Sequence, residues 1–124
     1  MEKDNFKSEF DKRLYMYAVE IIRFVGGLSK DTVSQVLAKQ LVRSGTSVTA
    51  NVFEARSASS RKDYINFYTH ALKSANESRL WISLIVDTYK TDKDKANELL
   101  SETIEISKIL GASIITMKKN NGKV

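Results

Sequence analysis

From Gln40 to Ala55 the chain reads QLVRSGTSVTANVFEA, a run with helical rhythm in which only Arg43 and Glu54 are ionisable. At 100° per residue, Leu37, Leu41, Ser44, Val48, Val52 and Ala55 share one face. Gln40, Arg43, Ser47, Asn51 and Glu54 form a polar stripe beside it. The far side carries Val42, Gly45, Thr46, Thr49 and Phe53, with no charge at all. A surface helix normally sets charged residues opposite its apolar stripe. This one does not, so the pattern predicts a helix covered on every side. So short a chain has few helices to spend on that cover. The expectation is that self-association supplies the rest, with Val42, Thr46, Thr49 and Phe53 as the oligomer interface.

The rest of the chain fits an all-α fold. Proline is absent from all 124 residues, and helix formers dominate. A chain of this length forms a single domain, residues 1–124, and can bury a core. Apolar residues make up 42% and charged ones 28%, the balance of a soluble globular protein. Cysteine is absent, which excludes disulfides, zinc–thiolate sites and thiol catalysis and suits a reducing cytoplasm. The charged start MEKDNFKSEFDKR has no apolar core of a signal peptide, and no stretch approaches a membrane span. A cytoplasmic location is expected.

Four helices are predicted, over about residues 6–25, 30–56, 60–89 and 92–118. The first buries Phe10, Leu14, Tyr17, Ile21 and Val25, with Ala18 and Ile22 beside them. Gly26-Gly27 ends it through a left-handed residue. Ser29 is the N-cap candidate for the second helix. Ser60 caps the third, with Asp63 three residues on as a capping-box partner. Its buried stripe is Tyr64, Phe67, Ala71, Ala75, Ser78, Ile82 and Ile85, with Trp81 at the border. Thr91 or Asp92 caps the fourth, whose stripe is Ala96, Leu99, Leu100, Thr103, Ile106, Leu110, Ile114 and Met117. Asn120-Asn121-Gly122 then begins a flexible tail. Long helices joined by short turns predict an antiparallel up-down-up-down bundle.

The net charge is +5 and the isoelectric point about 9.4. Between residues 31 and 62, Lys39, Arg43, Arg56, Arg61 and Lys62 stand against Asp31 and Glu54, a local surplus of +3. Lys118, Lys119 and Lys123 add a second basic pole. Tyr64 and Tyr68 follow the basic turn closely. Cations beside aromatic rings suit single-stranded nucleic acid, which offers phosphates to neutralise and bases to stack. A solvated turn with core tyrosines is the alternative.

Other chemistries lack their residues. The polar stripe extends to Ser74 and Glu77 on the next helix, and is expected as a buried or half-buried structural network with Arg43 paired to a carboxylate. Replacing Arg43 by Ala would then cost about 3–5 kcal/mol. No nucleophile, metal set or phosphate loop accompanies Glu54 and Glu77. The single histidine, His70, follows Phe67 where a di-iron bundle would need Glu. Asp94, Glu98, Glu102 and Glu105 line one helix edge, which suits solvent or a basic edge of a neighbouring copy. No catalytic residue, metal or cofactor is expected.

The stretch Gln40–Ala55, followed by RKDYINFYTHALKSANESRLW, resembles the small four-helix-bundle family encoded in intervening sequences of bacterial 23S ribosomal RNA genes. The pattern of that family runs Gln-Leu-x-Arg-(Ser/Ala)-x-x-Ser-(Ile/Val)-x-Ala-Asn-(x)-x-Glu-(Gly/Ala). After a Ser/Arg/Lys-rich turn, an aromatic helix holds Ala-x-x-Ser-x-x-Glu. Gln40, Arg43, Ser47, Val48, Ala50, Asn51 and Glu54 match it, as do Ala71, Ser74 and Glu77. Ala55 stands where Gly is common, so no positive φ is required there. The resemblance implies a homo-oligomeric ring, a pentamer, and a related type in this fold is the accessory factor of diversity-generating retroelements. It points to a non-catalytic, basic oligomer associated with nucleic acid, RNA before single-stranded DNA, through Arg56, Arg61, Lys62, Lys118 and Lys119. The alternatives are an accessory protein docking a reverse transcriptase and a protein-binding scaffold without nucleic-acid contact.

Overall fold

Side-chain caps decide where the helices begin. The computed structural model describes residues 6, 8–88 and 91–120. These form α1 (Glu9–Gly26), α2 (Thr32–Ala55), α3 (Arg61–Thr88) and α4 (Lys93–Asn120), with no strand among the described residues. Ser8 accepts the Asp11 N–H at 3.1 Å, so α1 starts at Glu9 and Phe6 lies outside it. Asp31, not Ser29, caps α2, taking the Ser34 N–H at 2.9 Å and the Ser34 hydroxyl at 2.8 Å. A carboxylate also answers the positive end of the helix dipole, which a serine cannot. With bonds from Ser29 and Ser34, the Asp31 carboxyl titrates well below the usual range, at about 2. Ser60 caps α3 at 3.0 Å, and Asp63 reaches back to the Ser59 N–H at 3.1 Å. Asp92 caps α4 through the Lys95 N–H at 3.1 Å.

The helix ends differ from expectation in two places. Gly27 closes α1 with φ −89° and ψ −3°, a right-handed conformation, its N–H returning to the Phe24 carbonyl at 3.1 Å. A tightened last turn satisfies the free carbonyl without a left-handed residue. Helix α4 continues through Asn120, so Lys118 and Lys119 belong to its last turn, where cations favour the helix dipole. Lys123 and Tyr89 lie outside the described residues.

One apolar cluster joins the helices. Leu14, Tyr17 and Ile21 of α1 meet Leu41, Val48 and Val52 of α2, Ala71, Ala75, Ile82 and Ile85 of α3, and Leu99, Ile106, Leu110 and Ile114 of α4. The expected stripes hold at their centres and shift at their edges. Phe10, Val25, Leu37, Leu100 and Met117 are half-buried, and Ile22 is exposed. On α3, Ile65 and Tyr68 are buried where Tyr64 and Phe67 were expected, and these two are half-buried. Helix α3 packs against both α2 and α4, which widens its buried arc beyond one stripe.

The uncharged far side of α2 is covered in part by the chain itself. A Cβ on Gly45 would come within 2.9 Å of the Ile21 side chain, so the missing side chain lets α1 approach. The Thr49 hydroxyl donates to the Leu14 carbonyl at 2.6 Å. The Phe53 ring meets Phe6 edge-on with centroids 6.1 Å apart, and Val42 and Thr46 are half-buried. A glycine-mediated close approach thus covers Gly45 and Thr49 within one chain, while Val42, Thr46 and Phe53 stay half-buried.

Hydroxyls from all four helices also pair in the buried interior. Tyr17 of α1 bonds Thr103 of α4 at 2.8 Å, and Ser44 of α2 bonds Ser78 of α3 at 2.8 Å. Burial pushes the Tyr17 phenol up to about 12, against hydrogen bonds to Thr103 and Ser78 that pull the other way. Among the described residues no buried side-chain nitrogen or oxygen lacks a partner.

Candidate nucleic-acid interface and the polar seam

The first turn of α3 and the last turn of α4 meet. Arg61 donates from Nη2 to the Met117 carbonyl at 3.2 Å, answering one of the four carbonyls that a helix end leaves free. That contact gathers Arg61, Lys62, Lys118 and Lys119 at one end of the fold, all of them exposed. Residues separated by more than fifty positions thus lie at the same end of the fold. The sequence supplied both poles but not their meeting.

Arg56 does not join them. Its Nη2 pairs with Asp11 Oδ1 at 2.5 Å and its Nη1 donates to the Tyr64 hydroxyl at 2.6 Å. Asp11 is only 4% exposed, so Arg56 holds a buried carboxylate rather than facing solvent. Burial works against the guanidinium charge, but the tyrosine hydroxyls and Asp11 beside it outweigh burial and hold its pKa above the ordinary value. Tyr64 in turn donates to Tyr68 at 3.4 Å, and the two rings stack with centroids 5.1 Å apart. Desolvation raises the Tyr64 phenol to about 12. Tyr68 is buried and offers no free ring face. Tyr64 stays half-buried, lining a groove of about 420 Å³ that Arg61 and Met117 share. The partner that fixes Arg56 was missed. Asp11, an acid next to the apolar stripe of α1, was the available signal.

The polar stripe of α2 lies along the α2–α3 seam, hydrogen-bonded from Gln40 to Asn51. Arg43 pairs with Glu77 and donates to Gln40 Oε1 at 2.9 Å, while Trp81 Nε1 donates to Glu77 at 3.3 Å. Ser74 bonds Ser47 at 3.0 Å, and Asn51 donates to the Ser47 carbonyl and hydroxyl at 2.8 and 2.9 Å. Glu54 is exposed at the end of the stripe. The network is half-buried with Arg43 at its open edge, its side chain 57% exposed. The expected cost of 3–5 kcal/mol for losing Arg43 is corrected accordingly, because water can solvate Glu77 when its partner is gone.

A second seam is open. Between α1 and α4 lies a groove of about 430 Å³ with Met16, Phe24 and Leu99 in its wall and Arg13, Glu20, Arg23, Lys95, Glu98 and Glu102 around it. Arg13 crosses it to Glu102 through two bonds of 2.7 and 2.6 Å, and this bidentate pair raises the guanidinium pKa. Glu102, expected to face solvent or another copy, is thus engaged within the chain. No group of three or more potential metal-ligating side chains occurs among the described residues. His70 is exposed. No helix is long and apolar enough to cross a membrane among the described residues.

The model of the 23S rRNA-intervening sequence protein family matches residues 7–112. The chain belongs to that family. A crystal structure at 1.70 Å resolution of a protein of unknown function, from the S23 ribosomal protein family of Bacteroides thetaiotaomicron, has a similar fold. It is 35% identical, with a TM-score of 0.78, over 84% of this chain and 96% of that one. None of the curated proteins matches. In this intervening-sequence protein the polar motif residues lie largely along the exposed α2–α3 seam, whereas the four clustered cations lie at one end.

Proposed function

We propose that this intervening-sequence protein is a non-catalytic, basic homo-oligomer that associates with nucleic acid, RNA in preference to DNA, through the end of the fold where α3 begins and α4 finishes. The supporting observation is the Arg61–Met117 contact, which brings two distant basic segments to the same end of the fold. The reading uses an antiparallel up-down-up-down bundle, in keeping with the pairing of Arg43 with Glu77 and Ser47 with Ser74. Assembly into a ring of copies, a pentamer in the proposed form, would repeat the basic end around one axis. Phosphate contacts come from Arg61, Lys62, Lys118 and Lys119, and Tyr64 is the ring closest to them that keeps an open edge. Arg56 contributes indirectly, by fixing Tyr64.

The test is binding of short single-stranded RNA across a salt series. Log K should fall linearly with log salt, with a slope near −0.7 per phosphate contact. Replacing Arg61, Lys62, Lys118 and Lys119 by Ser should flatten that slope while helicity is unchanged. No binding to RNA or DNA probes at low salt would leave a protein-docking scaffold as the function, including docking to a reverse transcriptase. A location in the cytoplasm belongs to the same proposal.

A further inference from the structure

The groove that Tyr64 shares with Arg61 and Met117 has a neighbour. Tyr64 and Met117 also line a hollow of about 530 Å³ between α3 and α4, so the two adjoin across that pair. The α4 wall of this hollow is Ile109, Ala112, Ser113 and Thr116, apolar but for two hydroxyls. Ala112 and Thr116 are exposed, and the hollow opens to solvent past them. Ligand sites are hollows of this size, apolar in the main, with a few polar groups to set orientation.

Shape and charge together select the occupant. Tyr64 supplies a ring wall, and that ring is already held in place. It stacks on Tyr68 with centroids 5.1 Å apart, and its hydroxyl accepts from Arg56, which is itself paired with Asp11. A flat guest would therefore meet a wall that needs no further ordering. Among the described residues no carboxylate lines either hollow, and the charged groups on their walls are Arg56 and Arg61. Arg56 is engaged with Asp11. Arg61 is not so confined: its bond to the Met117 carbonyl uses one of five guanidinium donors. Lys62 and Lys118 are the chain neighbours of Arg61 and Met117. The complementary guest has a flat apolar body and a negative charge at one edge. A nucleotide whose base is unstacked has both.

We propose that the α3–α4 hollow receives one unpaired base of a nucleic-acid strand, against the Tyr64 ring, while Arg61 and Lys62 hold the adjoining phosphate. This rests on the nucleic-acid reading and narrows it to strands that are single at that point. A base within a duplex would first have to leave its partner and its stack. Stacking on an aromatic ring tolerates any base, so the site selects for strandedness and not for sequence.

Titration of the full chain against a short single-stranded RNA carrying 2-aminopurine tests it, with a duplex of the same sequence as the comparison and circular dichroism as the folding control. The fluorescence of the probe should change on binding, as the base exchanges its neighbours for the hollow. Ala112→Leu, at an exposed helical position, should block the mouth. It should weaken single-strand binding about tenfold and remove the fluorescence change, with helicity and the salt slope unchanged. Thr116→Leu should act in the same way. The duplex, held by phosphate contacts alone, should bind about tenfold more weakly than the single strand and be indifferent to both substitutions. No binding of either probe at low salt would overturn the nucleic-acid reading and this one together. Salt-dependent binding that neither substitution weakens would overturn the base site alone, as would a duplex bound as tightly as the single strand.

Discussion

The α2–α3 and α1–α4 seams are built from different residues and end at different separations. Ser44, Ser47, Ser74 and Ser78 meet across the first, and their hydroxyls bond each other at 2.8 and 3.0 Å. Side chains that short let two helices approach until hydroxyl touches hydroxyl. Across the second, Arg13, Met16, Glu20, Arg23 and Phe24 reach from α1, and the helices stand far enough apart to leave a groove. Long side chains reach across from α1, as Arg13 does to Glu102 and Tyr17 does to Thr103. Helix α1 is held chiefly from its other side, where Gly45 admits Ile21 and Asp11 grips Arg56. Closeness is therefore set by the size of the facing residues and not by how apolar they are.

The largest test of this contrast is Ser78→Leu. The site is fully buried and its hydroxyl bonds Ser44 and the Ser74 carbonyl, so overpacking and lost hydrogen bonds should together cost about 3 kcal/mol or more. Met16→Leu in the open groove should change stability by less than about 1 kcal/mol in the same denaturant titration. Equal effects at the two sites would break the comparison.

Asp11→Ala asks whether α1 is fastened to α2 and α3 rather than to α4. It orphans Arg56 in a setting that is partly open to water, and a loss of about 2–3 kcal/mol is expected. Arg13→Ala, across the groove, should cost well under half of that in urea unfolding. A larger loss for Arg13 would place the main anchorage of α1 on α4.

Gly45→Ala sharpens the point on the α1–α2 side. Helix propensity alone would favour alanine by about 1 kcal/mol. Displacing the buried, branched Ile21 should cost about 1–3 kcal/mol, leaving a net loss near 1 kcal/mol in thermal or chemical unfolding. A stabilised variant would mean that α1 does not need the close approach.

The smallest effect is expected for Arg43→Ala, at most about 1 kcal/mol, because the pair lies on the solvent side of the tight seam. A loss of 3 kcal/mol or more by the same titration would mean that the α2–α3 surface is covered in solution. That result would favour the proposed oligomer over a monomer.

Much of the fold was legible because it depends on local rules. Helical period, absent proline, and the caps at Ser60 and Asp92 follow from residues within one turn of each other. The same rules located the centres of the buried stripes, since Leu14, Leu41, Ile82 and Ile106 recur at helical spacing whatever packs against them. The candidate site was half legible. Arg61, Lys62, Lys118 and Lys119 are conspicuous as charges, and Arg56 looked like one of them.

Three things waited for the tertiary structure. Whether Arg56 faces phosphate or carboxylate depends on Asp11, which is 45 positions away in sequence and beside it in space. How much of the uncharged side of α2 the chain covers by itself depends on how near α1 can come, and Gly45 against Ile21 sets that approach. Whether Arg43 is buried depends on what lies beyond the α2–α3 seam, and among the described residues its side chain stays 57% exposed. Sequence by itself determined the helices and the polarity of each face, because periodicity is a property of neighbours. Only the packed structure decided which faces meet, because a helix face carries no record of which other helix will cover it.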